Sequence, residues 1–239
     1  FDNLSLIETL SAQPETVKSA RQFSKDKFIA VSPITLKMRF NPFATSSETD
    51  LKSTQLPPQV DVRQMSLFGA GWTVGSLKYL CESEAHSLTY YETTGWRGVM
   101  ETQYGSPIPE KFYSFKESVF PLYHVFADVG EFADGEIIAT SSSNPLKING
   151  LAINKEGQIR IILANLVSEV QQLTVKNLGS SVNKWNNLQT FRLNGAKLDT
   201  PNLKIETNLG TIKTKACIIT ASTGVLNSGL INFKPLLLT

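Results

Sequence analysis

Cysteine and histidine are scarce in this chain, with two of each in 239 residues. Cys81 and Cys217 stand far apart and fit no metal or redox spacing, so both read as reduced, buried, small apolar residues. His86 and His124 belong to no H-E-x-x-H or other ligand pattern, and neither a zinc centre nor any other cofactor is expected. No G-x-S-x-G occurs, which removes the nucleophile elbow of an α/β-hydrolase. No apolar run approaches the roughly 20 residues of a membrane helix. No charge of one sign dominates: 23 basic against 21 acidic residues leave +2. With Lys and Arg scattered, neither a nucleic acid nor a membrane is an expected partner. An initiator Met and a leader pattern are also missing. The expectation is the C-terminal portion of a longer protein, with a cytoplasmic location as the default.

What is present is ordinary globular material, 41% hydrophobic and 18% charged. Ser5-Leu6-Ile7-Glu8 is a capping-box pattern that opens an amphipathic stretch. A helix from about Leu4 to Phe23 is predicted, with a break at Pro14. Asn3-Leu4-Ser5 is a formal glycosylation sequon, but at a helix start it reads as a chance match. Phe28 to Val31 is a short apolar strand, and Ile34 to Phe40 alternates with period two. Residues 41 to 60, with Pro42, Pro57 and Pro58, read as a long irregular loop. Residues 61 to 84 look helical, Leu88 to Tyr91 is a strand, residues 92 to 98 a loop, and Phe120 to Glu131 a helix.

This alternation favours parallel strands joined by crossover helices. Two strands and three helices do not close an α/β domain, but they suit the last third of a barrel. Near residue 140 the character changes, at the cluster Ser141-Ser142-Ser143-Asn144-Pro145. Short strand patterns follow at Leu151 to Asn154, Ile159 to Asn165, Val170 to Val175, Thr190 to Leu193, Lys204 to Thr207 and Cys217 to Thr220. Glu156-Gly157 and Asn194-Gly195 are among the turns between them, and a β-sandwich is the expectation. The predicted division is 1–139 for the C-terminal part of a TIM (β/α)8 barrel and 140–239 for the sandwich.

The Gly-rich run Gly69-Ala70-Gly71-Trp72-Thr73-Val74-Gly75 invites a dinucleotide-binding reading. Its spacing differs from G-x-G-x-x-G and it sits inside a helical pattern, so close helix packing is the better account. Functional candidates lie where strands end, because barrel sites form at the C-terminal ends of the strands. Lys37 and Arg39 share one face of the Ile34–Phe40 alternation, where a buried charge needs a partner or a ligand. They are either an ion-pair layer or an anion-binding wall, with Asn41 just beyond. Glu92 follows its strand directly, with Thr93, Thr94, Trp96 and Arg97 in the next loop. Glu92 is a general-base candidate or the ion-pair partner of Arg97. Trp96 is a candidate sugar-stacking wall. Asp2 and Asn3 occupy the equivalent place one strand earlier, or cap the first helix.

The segments SPITLKMRFNP (32–42), LPPQVDVRQMSLFGAGWTVGSLKYL (56–80), YYETTGWRGVME (90–101) and FPLYHVFADVGEF (120–132) resemble the D-apionate lactonase family. The resemblance is dense to about Phe132 and looser beyond. It implies an N-terminal domain, a TIM barrel and a C-terminal β-domain in the whole protein, and hydrolysis of the sugar lactone D-apionolactone to D-apionate. It assigns no catalytic residue. From the residues themselves, Glu92 or Asp2 is expected to activate water and Lys37 or Arg39 to stabilise the oxyanion. Asn3, Asn41, Thr93, Thr94, Trp96 and Arg97 are expected to bind the sugar. A glycoside hydrolase, or a β-module that binds sugars or only supports the barrel, remains open. This chain by itself is expected to be inactive.

Overall fold

The computed structural model describes residues 2–38, 55–171, 173 and 175, and the backbone of strands at 188–190, 203–207, 210–214, 217–222 and 231–232. The chain opens with α1 (Asn3–Glu8), a 3-10 turn (Thr9–Ala12) and α2 (Gln13–Ser24). Asp2 is the N-cap of α1: its Oδ1 accepts the Ser5 N–H at 2.7 Å. The helix therefore starts one turn before the expected capping box. Pro14 lies in the first turn of α2, where its missing N–H costs nothing.

Strand β1 (Ala30–Ile34) and strand β2 (Ser87–Tyr90) pair in parallel, with Ala30 opposite Ser87 and Ile34 opposite Tyr90. Between them lie a 3-10 turn (Val62–Met65) and α3 (Leu67–Cys81), so the unit is strand–helix–strand. Of the expected strand from Ile34 to Phe40, the described residues 35–38 are not in a strand, and Arg39 and Phe40 lie outside the described residues. Strand β1 ends at Ile34, and the chain bends at Leu36 and Lys37. Thr35 Oγ1 donates to the Lys37 carbonyl at 2.6 Å, a local bond that competes with the sheet ladder. The expected helix over 61–84 is likewise two pieces, the turn and α3.

Helix α3 is apolar all round and lies at the centre of the molecule. It packs against α2, α4 (Pro121–Glu131) and strands β6 (Ile148–Lys155) and β7 (Gln158–Asn165). Its glycines make this possible. A Cβ on Gly75 would stand 2.7 Å from Leu10 Cδ1, and one on Gly71 would meet Leu166 Cδ2 at 3.4 Å. Trp72 Nε1 donates to the Leu6 carbonyl at 2.9 Å and locks α1 onto α3. The Gly-rich run is thus a packing surface. Cys81 ends α3 half-buried, and burial first, then Glu82, pushes its thiol up to about 11. The side chain of Cys217 lies outside the described residues.

After β2 come β3 (Glu92–Thr94) and β4 (Gly98–Met100), a short parallel pair where a plain loop was expected. β5 (Glu136–Ile138) already belongs to the antiparallel sheet, whose order is β5-β6-β7-β11-β8. Here β8 is Leu188–Thr190 and β11 is Cys217–Ser222. A second antiparallel sheet holds β9 (Leu203–Thr207), β10 (Gly210–Thr214) and β12 (Ile231–Asn232), in the order β10-β9-β12. β6 and β7 are joined at Glu156-Gly157, with φ of 53° and 79°. Both residues are left-handed there, as a two-residue hairpin turn matched to strand twist requires.

Among the described residues, β1 and β2 form a two-stranded sheet and no barrel closes. Among the described residues, the two antiparallel sheets share no strand pairing. Of the expected strand Val170–Val175, the residues Val170, Leu173 and Val175 lie in no strand, while Gln172 and Thr174, like the turn Asn194-Gly195, fall outside the described residues. One hydrophobic core runs from Leu6 and Leu10 through Val74 and Leu77 to Leu151, Ile162 and Leu166. Burying each such side chain contributes about 1.5–3 kcal/mol. That core crosses residue 140, so the α/β part and the larger sheet stabilise one another.

Candidate functional site

The C-terminal ends of β1 and β2 lead into two groups of charged side chains. Past β1, Lys37 is half-buried, and its Nζ donates to the Val60 carbonyl at 2.9 Å. The next residue, Asp61, is 5% exposed and is gripped by Arg63. Asp61 Oδ1 accepts from the Arg63 N–H at 2.9 Å and from Nε at 2.8 Å; Oδ2 accepts from Nη2 at 2.6 Å. The fork matches the carboxylate in two places and is held in register by the backbone contact. Burial pushes the Asp61 carboxyl up. The Arg63 hydrogen bonds and charge, with Lys37 added, outweigh it and hold the carboxyl below the usual range. The Arg63 guanidinium is raised in turn, first by its bonds to Asp61.

Arg63 also turns toward α1, where Nη1 donates to Asn3 Oδ1 at 3.0 Å. Asp2 stands exposed beside it as the helix cap. The Ser5 backbone N–H, foremost, holds the Asp2 carboxyl below the usual range. The expected candidates Asp2, Asn3 and Lys37 thus meet around the pair Asp61–Arg63.

Past β2, Tyr91 turns inward and is buried, its hydroxyl 2.8 Å from Thr73 Oγ1. Burial drives its phenol far up. Glu92 then faces outward and forms an ion pair with Arg97, Oε1 to Nη2 at 3.0 Å. About a third of each side chain is exposed, so the pair is open to solvent on one side. Thr93 and Thr94 are exposed next to it. Trp96 is half-buried: Nε1 donates to Ser106 Oγ at 2.9 Å, and its ring centroid is 6.4 Å from that of Phe112. Arg39 and Asn41 lie outside the described residues.

The turn Val62–Met65 joins the two groups. Arg63 reaches Asn3, while the next side chain, Gln64, donates from Nε2 to the Gly98 carbonyl at 2.9 Å. Sequence reasoning missed Asp61, Arg63 and Gln64. The usable signal was an acid followed two residues later by a base, just ahead of the N-cap Ser66 of α3. Chemically, the arrangement offers a carboxylate paired with a cation at Glu92–Arg97, a second cation at Lys37 past the other strand, and hydroxyl or amide groups for a polyhydroxylated ligand.

A family model described as D-apionate lactonase, TIM barrel domain, matches residues 1–134. The chain belongs to that family. The match ends just after α4 and covers both strand-end groups. The chain is also similar in structure to a conserved exported protein from Bacteroides fragilis, at 11% identity and a TM-score of 0.41. That similarity covers 92% of this chain and 42% of the other protein. None of the curated proteins compared matches this chain. Lys37 and Glu92 stand just past the C-terminal ends of the two parallel strands β1 and β2.

Proposed function

We propose that this chain serves a carboxylic-ester hydrolase that opens a sugar lactone, D-apionolactone to D-apionate. Glu92 takes a proton from a water molecule, whose oxygen attacks the lactone carbonyl carbon. Arg97 orients the Glu92 carboxylate through their ion pair. Lys37, or alternatively Arg39, stabilises the oxyanion that forms on the carbonyl oxygen, a role often worth several kcal/mol. Collapse of the adduct breaks the ring C–O bond, and the ring oxygen leaves as a hydroxyl with the proton Glu92 returns. The acid released ionises to a carboxylate. Asn3, Asn41, Thr93, Thr94 and Trp96 hold the sugar hydroxyls and ring.

The observation that carries this reading is the half-open Glu92–Arg97 pair directly past the end of a parallel strand, in a chain of the D-apionate lactonase family. Asp2 is the weaker base, because its carboxylate caps α1 and is held below the usual range. No specific observation favours a glycoside hydrolase, which needs two carboxylates facing one bond. Asp61 is committed to Arg63, and the buried Glu101 accepts from the Thr102 N–H at 2.8 Å and from Ser114 Oγ. For the antiparallel sheets we propose a sandwich that supports the α/β part, in keeping with the packing of β6 and β7 on α3.

The test is proton release from D-apionolactone by the whole protein, wild type against Glu92→Gln. Loss of a general base lowers kcat by about 10²–10⁴-fold. A variant that keeps wild-type kcat would remove Glu92 from the reaction.

A further inference from the structure

Gln64 is buried, at 3% exposure, in the turn that precedes α3. Two backbone carbonyls face the end of its side chain, that of Gly98 at 2.9 Å and that of Arg97 at 3.5 Å. Only the amide nitrogen can satisfy both, because it carries the two donors and the carbonyl carries none. The Arg97 carbonyl also accepts the Glu92 N–H at 2.9 Å. Gln64 therefore grips the backbone at the point where Glu92 and Arg97, partners through their side chains, are also partners through their main chains.

The turn that holds Gln64 is itself anchored. Its backbone N–H donates to the Asp61 carbonyl at 3.0 Å, and the Ser66 N–H to the Arg63 carbonyl at 3.0 Å. Arg63 is fixed on one side by Asp61 and on the other by Asn3. A side chain tied to a fixed turn and aimed at a short three-residue strand sets where that strand lies. Glu92 and Arg97 are each about one-third exposed, so side-chain packing alone holds them weakly.

We propose that Gln64 is a positioning residue for the Glu92–Arg97 pair. It touches no substrate. It fixes the 92–98 backbone, and through it the direction of the Glu92 carboxylate. The kinetic consequence rests on the lactone-hydrolase reading; the tether does not.

The test uses the whole protein and Gln64→Met, which keeps the length of the side chain and removes its donors. Amide hydrogen exchange at Glu92 is compared with exchange at Val74 and Leu77 in α3. The expected result is exchange about tenfold faster at Glu92, with the α3 amides unchanged. With the lactone as substrate, kcat falls by about tenfold to a hundredfold while KM stays within about twofold, as a misplaced reacting group requires. If Gln64→Met does not fold, Gln64→Asn makes the same comparison, since it keeps the donors on a stem one methylene shorter. Unchanged exchange at Glu92 overturns the proposal. So does faster exchange with wild-type kcat. If the wild-type protein opens no lactone, the functional reading fails separately, and exchange at Glu92 alone decides for or against the tether.

Discussion

Arg160 of β7 reaches across to α4 and donates from Nη1 to the backbone carbonyl of Asp128 at 2.6 Å, with the Asp128 carboxylate 3.5 Å away. Its other nitrogen, Nη2, lies 2.7 Å from Glu131, and the guanidinium covers the Phe132 ring at 4.1 Å. The cation sits at the last turn of a helix, where free carbonyls and the negative end of the macrodipole favour it. This single side chain ties the antiparallel sheet to the last helix of the α/β part.

Arg160→Met keeps the apolar stem and removes the charge. It leaves the Asp128 carboxylate buried, 3.5 Å from where its partner stood. Removing one member of a buried ion pair costs about 3–5 kcal/mol. Glu131 is 67% exposed, so Glu131→Gln costs under about 1 kcal/mol. Urea unfolding of the two variants checks the contrast. Equal, small losses would show that the joint contributes little.

Asp61 supplies a pH dependence of known sign. Its carboxyl is held below the usual 3.8 in the folded chain, so the unfolded chain takes up this proton first as the pH falls. The stability contributed by the Asp61–Arg63 pair is complete above the unfolded pKa and is lost as the pH falls through the folded one. Asp61→Asn gives up two charge-assisted bonds and should cost about 2 kcal/mol at pH 7. The gap between wild type and variant should narrow as the pH falls below about 4. Melting curves at pH 7 and pH 3 measure it, and a gap of constant size at both would contradict the assignment.

Some of this was legible in the residues and some was not, for physical reasons. The helices α2, α3 and α4 follow from apolar spacing and from proline at a first turn, both local properties. The Glu92–Arg97 pair was readable as one of two alternatives, because opposite charges five residues apart in a short loop have few other partners. The alternation at 34–40 misled, since period two cannot register the bond from Thr35 Oγ1 to the Lys37 carbonyl. The turn holding Asp61, Arg63 and Gln64 was unreadable as a site. Its partners lie far off in sequence, Asn3 60 residues from Arg63 and Gly98 34 residues from Gln64, and no local pattern encodes such contacts. The Asp2 ambiguity between strand-end acid and helix cap needed coordinates as well, and the cap is what the geometry displays.

The glycines of α3 give the sharpest contrast between a tolerated and a damaging change. A helix interior prefers Ala to Gly by about 1 kcal/mol, so either substitution starts with a gain. At Gly71 the new Cβ would meet Leu166 Cδ2 at 3.4 Å and Ala164 Cβ at 3.6 Å, ordinary contact distances. Gly71→Ala should be neutral or stabilising by up to about 1 kcal/mol. At Gly69 the Cβ would collide with the carbonyl oxygen of Arg63, which is backbone and cannot rotate away. The turn Val62–Met65 must shift to make room, at a cost of about 1–3 kcal/mol. That shift moves Arg63 off Asn3 and Gln64 off the Gly98 carbonyl, so exchange at Glu92 should quicken in Gly69→Ala and stay unchanged in Gly71→Ala. Thermal melts give the stability of each variant, and amide exchange gives the local effect. Equal behaviour of the two variants in both measurements would mean that the turn is not pinned by the start of α3.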